Sequence, residues 1–230
     1  MTDMPSPPAA SPSPRASGVA SPSPRASGAT PELAPSEAMM ERLVASAHQT
    51  AGPYWHLVDF PEWADTTRHF ADNLPEGGQR ITVTGVVRDG TGAPVTDALV
   101  EIWHADPAGR YPDQNGDPTA FQGYGRCATD KEGSFRFTTL KPGPVPVGPH
   151  AGANAMQAPH MAVALFARGL LQHLSTRLYF EGEALNETDP VLRAVPEARR
   201  GTMIAKPAGN GAWTLDLRLQ GEGETVWMAV

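Results

Sequence analysis

The chain has 230 residues, 40% of them hydrophobic and 19% charged, with a net charge of -7; this suits a soluble globular protein with one large β domain or a domain plus an appendage, and argues against a nucleic-acid binder, which needs a basic face. The single cysteine, Cys127, excludes an intrachain disulfide framework and a Cys-rich zinc or iron–sulfur site. No apolar run approaches the roughly 20 residues of a membrane span, and no charged leader with an apolar core opens the chain, so the expected location is the cytoplasm.

Residues 1–35 are nearly all Ala, Ser, Pro, Gly and Thr, and SPSPRASG occurs at 11–18 and again at 21–28. This is a low-complexity duplication without the large apolar residues that offset backbone ordering, so a disordered tail is expected. Residues 36–79 are expected to hold a short helix and an irregular segment. Ser36 is a plausible N-cap, and Met39, Met40, Leu43 and Val44 follow at helical spacing.

A sandwich domain is expected over 80–230. Residues 80–87 alternate Ile81, Val83, Gly85 and Val87 with polar neighbours, a strand period. Further strands are expected at 98–104, at 134–140 after the turn signal Asp130-Lys131-Glu132-Gly133, and at 161–168, which is apolar at nearly every position as if covered on both faces. The segments 174–181 and 212–219 follow, the latter with Trp213, Leu215, Leu217 and Leu219 on one face, and 225–230 closes the chain. One helix is expected at 189–199, capped by Thr188 or Asp189 with Pro190 at its first position and Pro196 limiting it to about two turns. Many short strands with Gly/Pro/Asp punctuation indicate an all-β sandwich, not βαβ units.

Pattern alone yields no self-contained active site. The histidines 48, 56, 69, 104, 150, 160 and 173 form no His-x-His or HExxH pair, and there is no P-loop, dinucleotide fingerprint or Gly-x-Ser-x-Gly elbow. Cys127 lies just before a turn with no fixed histidine partner, which suits a structural thiol.

Several landmarks do recur in a fixed order. They are Gln49-Thr50-Ala51-Gly52-Pro53-Tyr54, Glu101-Ile102-Trp103-His104-Ala105-Asp106, Gly125-Arg126, Lys141-Pro142-Gly143-Pro144, and Ala158-Pro159-His160. Leu165-Phe166-Ala167-Arg168-Gly169, Thr176-Arg177-Leu178-Tyr179-Phe180 and Gln220-Gly221-Glu222-Gly223-Glu224-Thr225 complete the series. On these, residues 48–230 resemble the intradiol ring-cleavage dioxygenases, and within them the alpha subunits of the two-subunit branch that cleaves protocatechuate. The 1–35 tail lies outside the resemblance.

The resemblance implies a β-sandwich and an Fe(III) centre held by two tyrosinates and two histidines, the anionic tyrosinate oxygens suiting a hard cation. One family tyrosine follows the Lys-Pro-Gly-Pro turn, where this chain has Val145. The family's paired histidines fall on His160 and Ala162, and the other tyrosine falls within 112–123, which contains none. The expectation is therefore no iron ligand set here, with His160 a vestigial structural residue. Fe(III) would be held by a homologous beta subunit, and this chain would complete that subunit's pocket. The substrate-binding residues implied are Thr50, as hydroxyl donor, Pro53 and Tyr54, as an apolar wall, and Arg168, as a fixed positive charge near an anionic catechol. The reaction implied is O2-dependent cleavage between the two oxygen-bearing carbons of protocatechuate, giving 3-carboxy-cis,cis-muconate. Two alternatives remain. A single-chain enzyme would need four ligands, although none of Tyr54, Tyr111, Tyr124 and Tyr179 sits at a ligand position. A non-enzymatic sandwich would act only as a scaffold or binding module.

Overall fold

The computed structural model describes residues 60–70, 74–112, 121–148 and 155–229. The expected tail, the helix after Ser36, and Thr50, Pro53 and Tyr54 lie outside the described residues.

The described residues form an all-β sandwich. Strand β1 (Arg80–Arg88) pairs antiparallel with β4 (Ser134–Leu140) from Arg80↔Leu140 to Val86↔Ser134. Its other edge runs parallel to β10 (Ala212–Thr214) and then β11 (Leu217–Arg218). Strand β9 (Ile204–Gly209) joins β10 to β8 (Leu174–Phe180), and the sheet continues through β7 (His160–Phe166) and β2 (Leu99–Trp103) to β3 (Tyr124–Ala128). A separate two-stranded ladder pairs β5 (Val145–Pro146) with β6 (Met156–Gln157).

The sheet folds over so that its two halves share one core. Val83, Val87, Phe135 and Phe137 from one half meet Val100, Ile102, Val163, Leu165 and Leu178 from the other. Each such side chain contributes roughly 1.5–3 kcal/mol relative to exposure. The period-two reading of β1 holds residue by residue: Ile81, Val83, Gly85 and Val87 are its inward positions. Gly85 is there because a Cβ would stand 2.0 Å from the Leu215 carbonyl oxygen, so the segment between β10 and β11 can approach only a glycine. The turn before β4 forms as expected, with Asp130 Oδ1 accepting the backbone N–H groups of Glu132 and Ser134 at 2.9 and 2.8 Å.

Four details differ from the expectations. The strand expected at 212–219 is split between β10 and β11, because the Val86 N–H bonds Asp216 Oδ1 at 2.9 Å instead of a main-chain carbonyl. Strand β7 ends before Arg168, and only one of its faces enters the core; Ala162, Ala164 and Phe166 on the other are half-buried. Residues 225–229 contribute a single bridge, Ser175↔Met228, not a strand. The helix expected at 189–199 forms as α1 (Pro190–Ala194) and α2 (Glu197–Arg200), separated at Val195-Pro196. Asp189 is the cap, accepting the N–H groups of Val191 and Leu192 at 2.9 Å. No described helix is long and apolar enough to cross a membrane.

Candidate functional site

Alternation along β7 sends Met161, Val163 and Leu165 into the core and puts His160, Ala162 and Ala164 on the opposite face. Ladder register then fixes their neighbours. Ala162 lies between Trp103 of β2 and Arg177 of β8, and His160 lies opposite Tyr179. Tyr111 packs on Trp103 with ring centroids 4.5 Å apart, and the His160 and Tyr179 rings are 5.6 Å apart.

A hydrogen-bond network anchors this face. The Nδ1–H of His160 donates to the Ala158 carbonyl at 2.7 Å, which leaves Nε2 as the acceptor nitrogen. Tyr179 donates its hydroxyl to Asp189 Oδ1 at 3.1 Å, while Asp189 Oδ2 accepts the Ala158 N–H at 2.9 Å. Arg177 Nη1 donates to Gln157 Oε1 at 2.7 Å and to the Tyr179 hydroxyl at 3.4 Å. Burial, with the nearby Arg177 charge second, pushes the His160 imidazole below its usual range. Burial also raises Tyr179 and Tyr111. At neutral pH the face therefore presents a neutral imidazole, protonated phenols and one guanidinium.

This donor set does not fit a ferric ion. Of the ligand positions the resemblance points to, Val145 is buried in β5 and Ala162 carries only a methyl group. His160 offers one nitrogen, and the charge of Arg177 acts on that same ring. A cation there would meet the His160 imidazole, the phenols of Tyr179 and Tyr111, which burial holds in the protonated form, and the like charge of Arg177. Among the described residues, no group of three or more His, Cys, Asp or Glu is placed to hold a metal ion.

Arg168 follows the end of β7, in the turn to β8, at the far end of the strand from His160. Seven residues at ~3.3 Å per residue separate them by over 20 Å. The structure therefore does not bring Arg168 together with the His160 face. Its Nε pairs with Asp97 Oδ2, and its side chain is 67% exposed. Such a pair is worth about 0–1 kcal/mol and leaves the guanidinium accessible.

Two further polar clusters are structural. His104 is fully buried; its Nδ1–H donates to the Ala105 carbonyl and its Nε2 accepts from the Thr139 hydroxyl, both at 2.8 Å, with Thr66 2.6 Å from Thr139. Glu101 takes the Tyr124 hydroxyl at 2.9 Å and pairs with Arg126, over which Trp63 stacks. Burial and the Glu101 carboxylate push Tyr124 up to about 12.

Sequence reasoning missed Arg177, Tyr179 and Gln157 as parts of this face. The usable signal was alternation: in paired strands, 177 and 179 share a face with 162 and 160.

Comparison with known proteins agrees with this geometry. A family model described as Dioxygenase matches residues 50–221. The chain is 40% identical to the protocatechuate 3,4-dioxygenase alpha chain of Pseudomonas putida, over 82% of this chain and 98% of that one. It is also 42% identical to the beta chain of the same activity from Burkholderia cepacia, over 62% of each. Among solved structures, the dioxygenase domain of a dioxygenase carbohydrate-binding protein fusion from Streptomyces sp. SirexAA-E matches with a TM-score of 0.52 and 30% identity, covering 76% of this chain and 97% of that one.

Proposed function

Since the chain belongs to the intradiol ring-cleavage dioxygenase family, we propose that it is the alpha subunit of a protocatechuate 3,4-dioxygenase, an alpha–beta hetero-oligomer. The family is iron-dependent. The observation that carries the subunit assignment is the donor-poor face of β7: Ala162 and Val145 stand where ligands would be needed, and Arg177 adds positive charge. Similarity along almost the whole length of an alpha chain supports it.

In this assignment Fe(III) resides in the beta subunit, where it would make the bound catechol reactive toward O2. This chain's residues bind, orient and exclude water. Arg168 is the one described member of the expected pocket set. Lying over 20 Å along β7 from its own chain's His160, it serves a pocket in the partner. A forked, permanently charged donor there offsets the anionic, doubly deprotonated catechol. Thr50 supplies a hydroxyl donor, and Pro53 with Tyr54 forms an apolar wall. Protocatechuate and O2 are the substrates and 3-carboxy-cis,cis-muconate the product, and the complex works in the cytoplasm.

Expression of the chain alone and with a homologous beta subunit tests this. Alone, it should carry no stoichiometric iron and take up no oxygen with protocatechuate. The co-purified pair should hold iron and turn over. Turnover by the isolated, iron-loaded chain would falsify the assignment.

A further inference from the structure

We propose that Asp97 is a positioning residue for the reaction: it holds the Arg168 guanidinium in the orientation in which that group meets the anionic catechol of the partner's pocket. This rests on the reading of Arg168 as a pocket residue of the alpha–beta complex. The ladder pairs Leu99 of β2 with Phe166 of β7. Continuing that alignment by two residues sets Asp97, just before β2, opposite Arg168, just after β7. Cross-strand neighbours of opposite charge attract, and Asp97 Oδ2 pairs with Arg168 Nε.

The two partners are held to different degrees. The backbone around Asp97 is pinned by the buried Thr129 hydroxyl, which accepts the Ala98 N–H at 3.0 Å and donates to the Val95 carbonyl at 2.9 Å. The Oδ2 atom of Asp97 is shielded from water. Arg168 is fixed at its backbone, between Ala167 in the core and Leu170 packed against it, but its side chain is exposed. Among the described residues, Asp97 is the one carboxylate that pairs with it. An arginine fork without a partner spreads over many rotamers. Pairing through Nε selects the rotamers that reach the rigid acid, and it leaves the Nη1 and Nη2 end of the fork for an anion. The Asp97 charge also weakens the attraction of this corner for an anionic substrate. Removing the carboxylate therefore has opposite effects under the two roles open to it. If it only balances charge, its loss strengthens anion binding; if it orients the fork, its loss costs catalysis.

A double-mutant cycle in the alpha–beta complex, read by steady-state kinetics with protocatechuate, tests the role. Asp97→Asn, with Asp97→Ser as a second variant, should lower kcat/KM at least threefold while assembly and thermal midpoint stay unchanged. The loss should fall on the same parameter, kcat or KM, that Arg168→Ala changes. In an Arg168→Ala background either substitution should alter kcat/KM by less than twofold, because no fork is left to orient. Unchanged or improved kcat/KM in Asp97→Asn overturns the positioning role, and the pocket assignment still stands where Arg168→Ala is impaired. An equal loss in both backgrounds also overturns it, since Asp97 then acts through another group. An unimpaired Arg168→Ala overturns the pocket assignment and the positioning role together.

Discussion

His104 shows how one buried side chain makes the whole molecule pH-sensitive. Burial, reinforced by the neighbouring His160, lowers its pKa from an ordinary 6.5 to about 4, against the raising effect of its Ala105 hydrogen bond. Between those values the unfolded chain takes up a proton that the folded chain refuses. The stability contributed by the neutral ring is complete above pH 6.5, declines as pH falls through the window, and is gone below pH 4. Its size is on the order of 3 kcal/mol. Urea midpoints measured from pH 7.5 down to 4.5 should therefore fall, and His104→Asn should flatten the slope. Some slope should persist, because His160 is shifted in the same direction. Arg168 gives the contrasting surface case. Its ion pair with Asp97 holds little stability, so Arg168→Ala in the alpha–beta complex should leave assembly and thermal midpoint unchanged. Steady-state kinetics with protocatechuate should show a drop in kcat/KM of at least tenfold. A change in assembly alone would mark Arg168 as scaffold.

Among the elements, α1 depends most on one residue. Asp189 caps it and ties Ala158 and Tyr179 into the second, smaller core under the helices. Asp189→Ala leaves buried donors unsatisfied and should cost roughly 3 kcal/mol in urea unfolding, more than a cap alone. Strands β1 and β4 were legible because alternation marks them and the turns Asp89-Gly90 and Asp130-Lys131-Glu132-Gly133 bound them. Strand β3 was not: it reads Tyr-Gly-Arg-Cys-Ala, and its Arg126 is tolerated only because Glu101 faces it across the ladder. Strand β9 contains Pro207 and ends on Gly209, residues that ordinarily argue against a strand.

For the molecule as a whole, the described residues form two core clusters, one between the halves of the sheet and a smaller one under the helices. Residues 1–35 lie outside the family match, which begins at residue 50. Deleting 1–35 should leave oxygen uptake by the alpha–beta complex unchanged within twofold, and loss of activity would assign the tail a function. The sandwich places Arg168 at one end of β7 and His160 at the other. The proposed assembly draws on the Arg168 end for the partner's pocket, and the metal-poor face lies at the other end of the strand.

The sequence by itself determined the sandwich class, the ordered landmarks and the absence of metal-ligating side chains at 145 and 162, because strand period, turn chemistry and residue identity are local properties. The tertiary structure decided what occupies the face those donors would have lined. Arg177, Tyr179, Trp103 and Tyr111 meet His160 and Ala162 only through the pairing of β2, β7 and β8 and the ring packing above it. Ladder register is a long-range property, set by how the core faces of separate strands interlock, and no local window of residues encodes it.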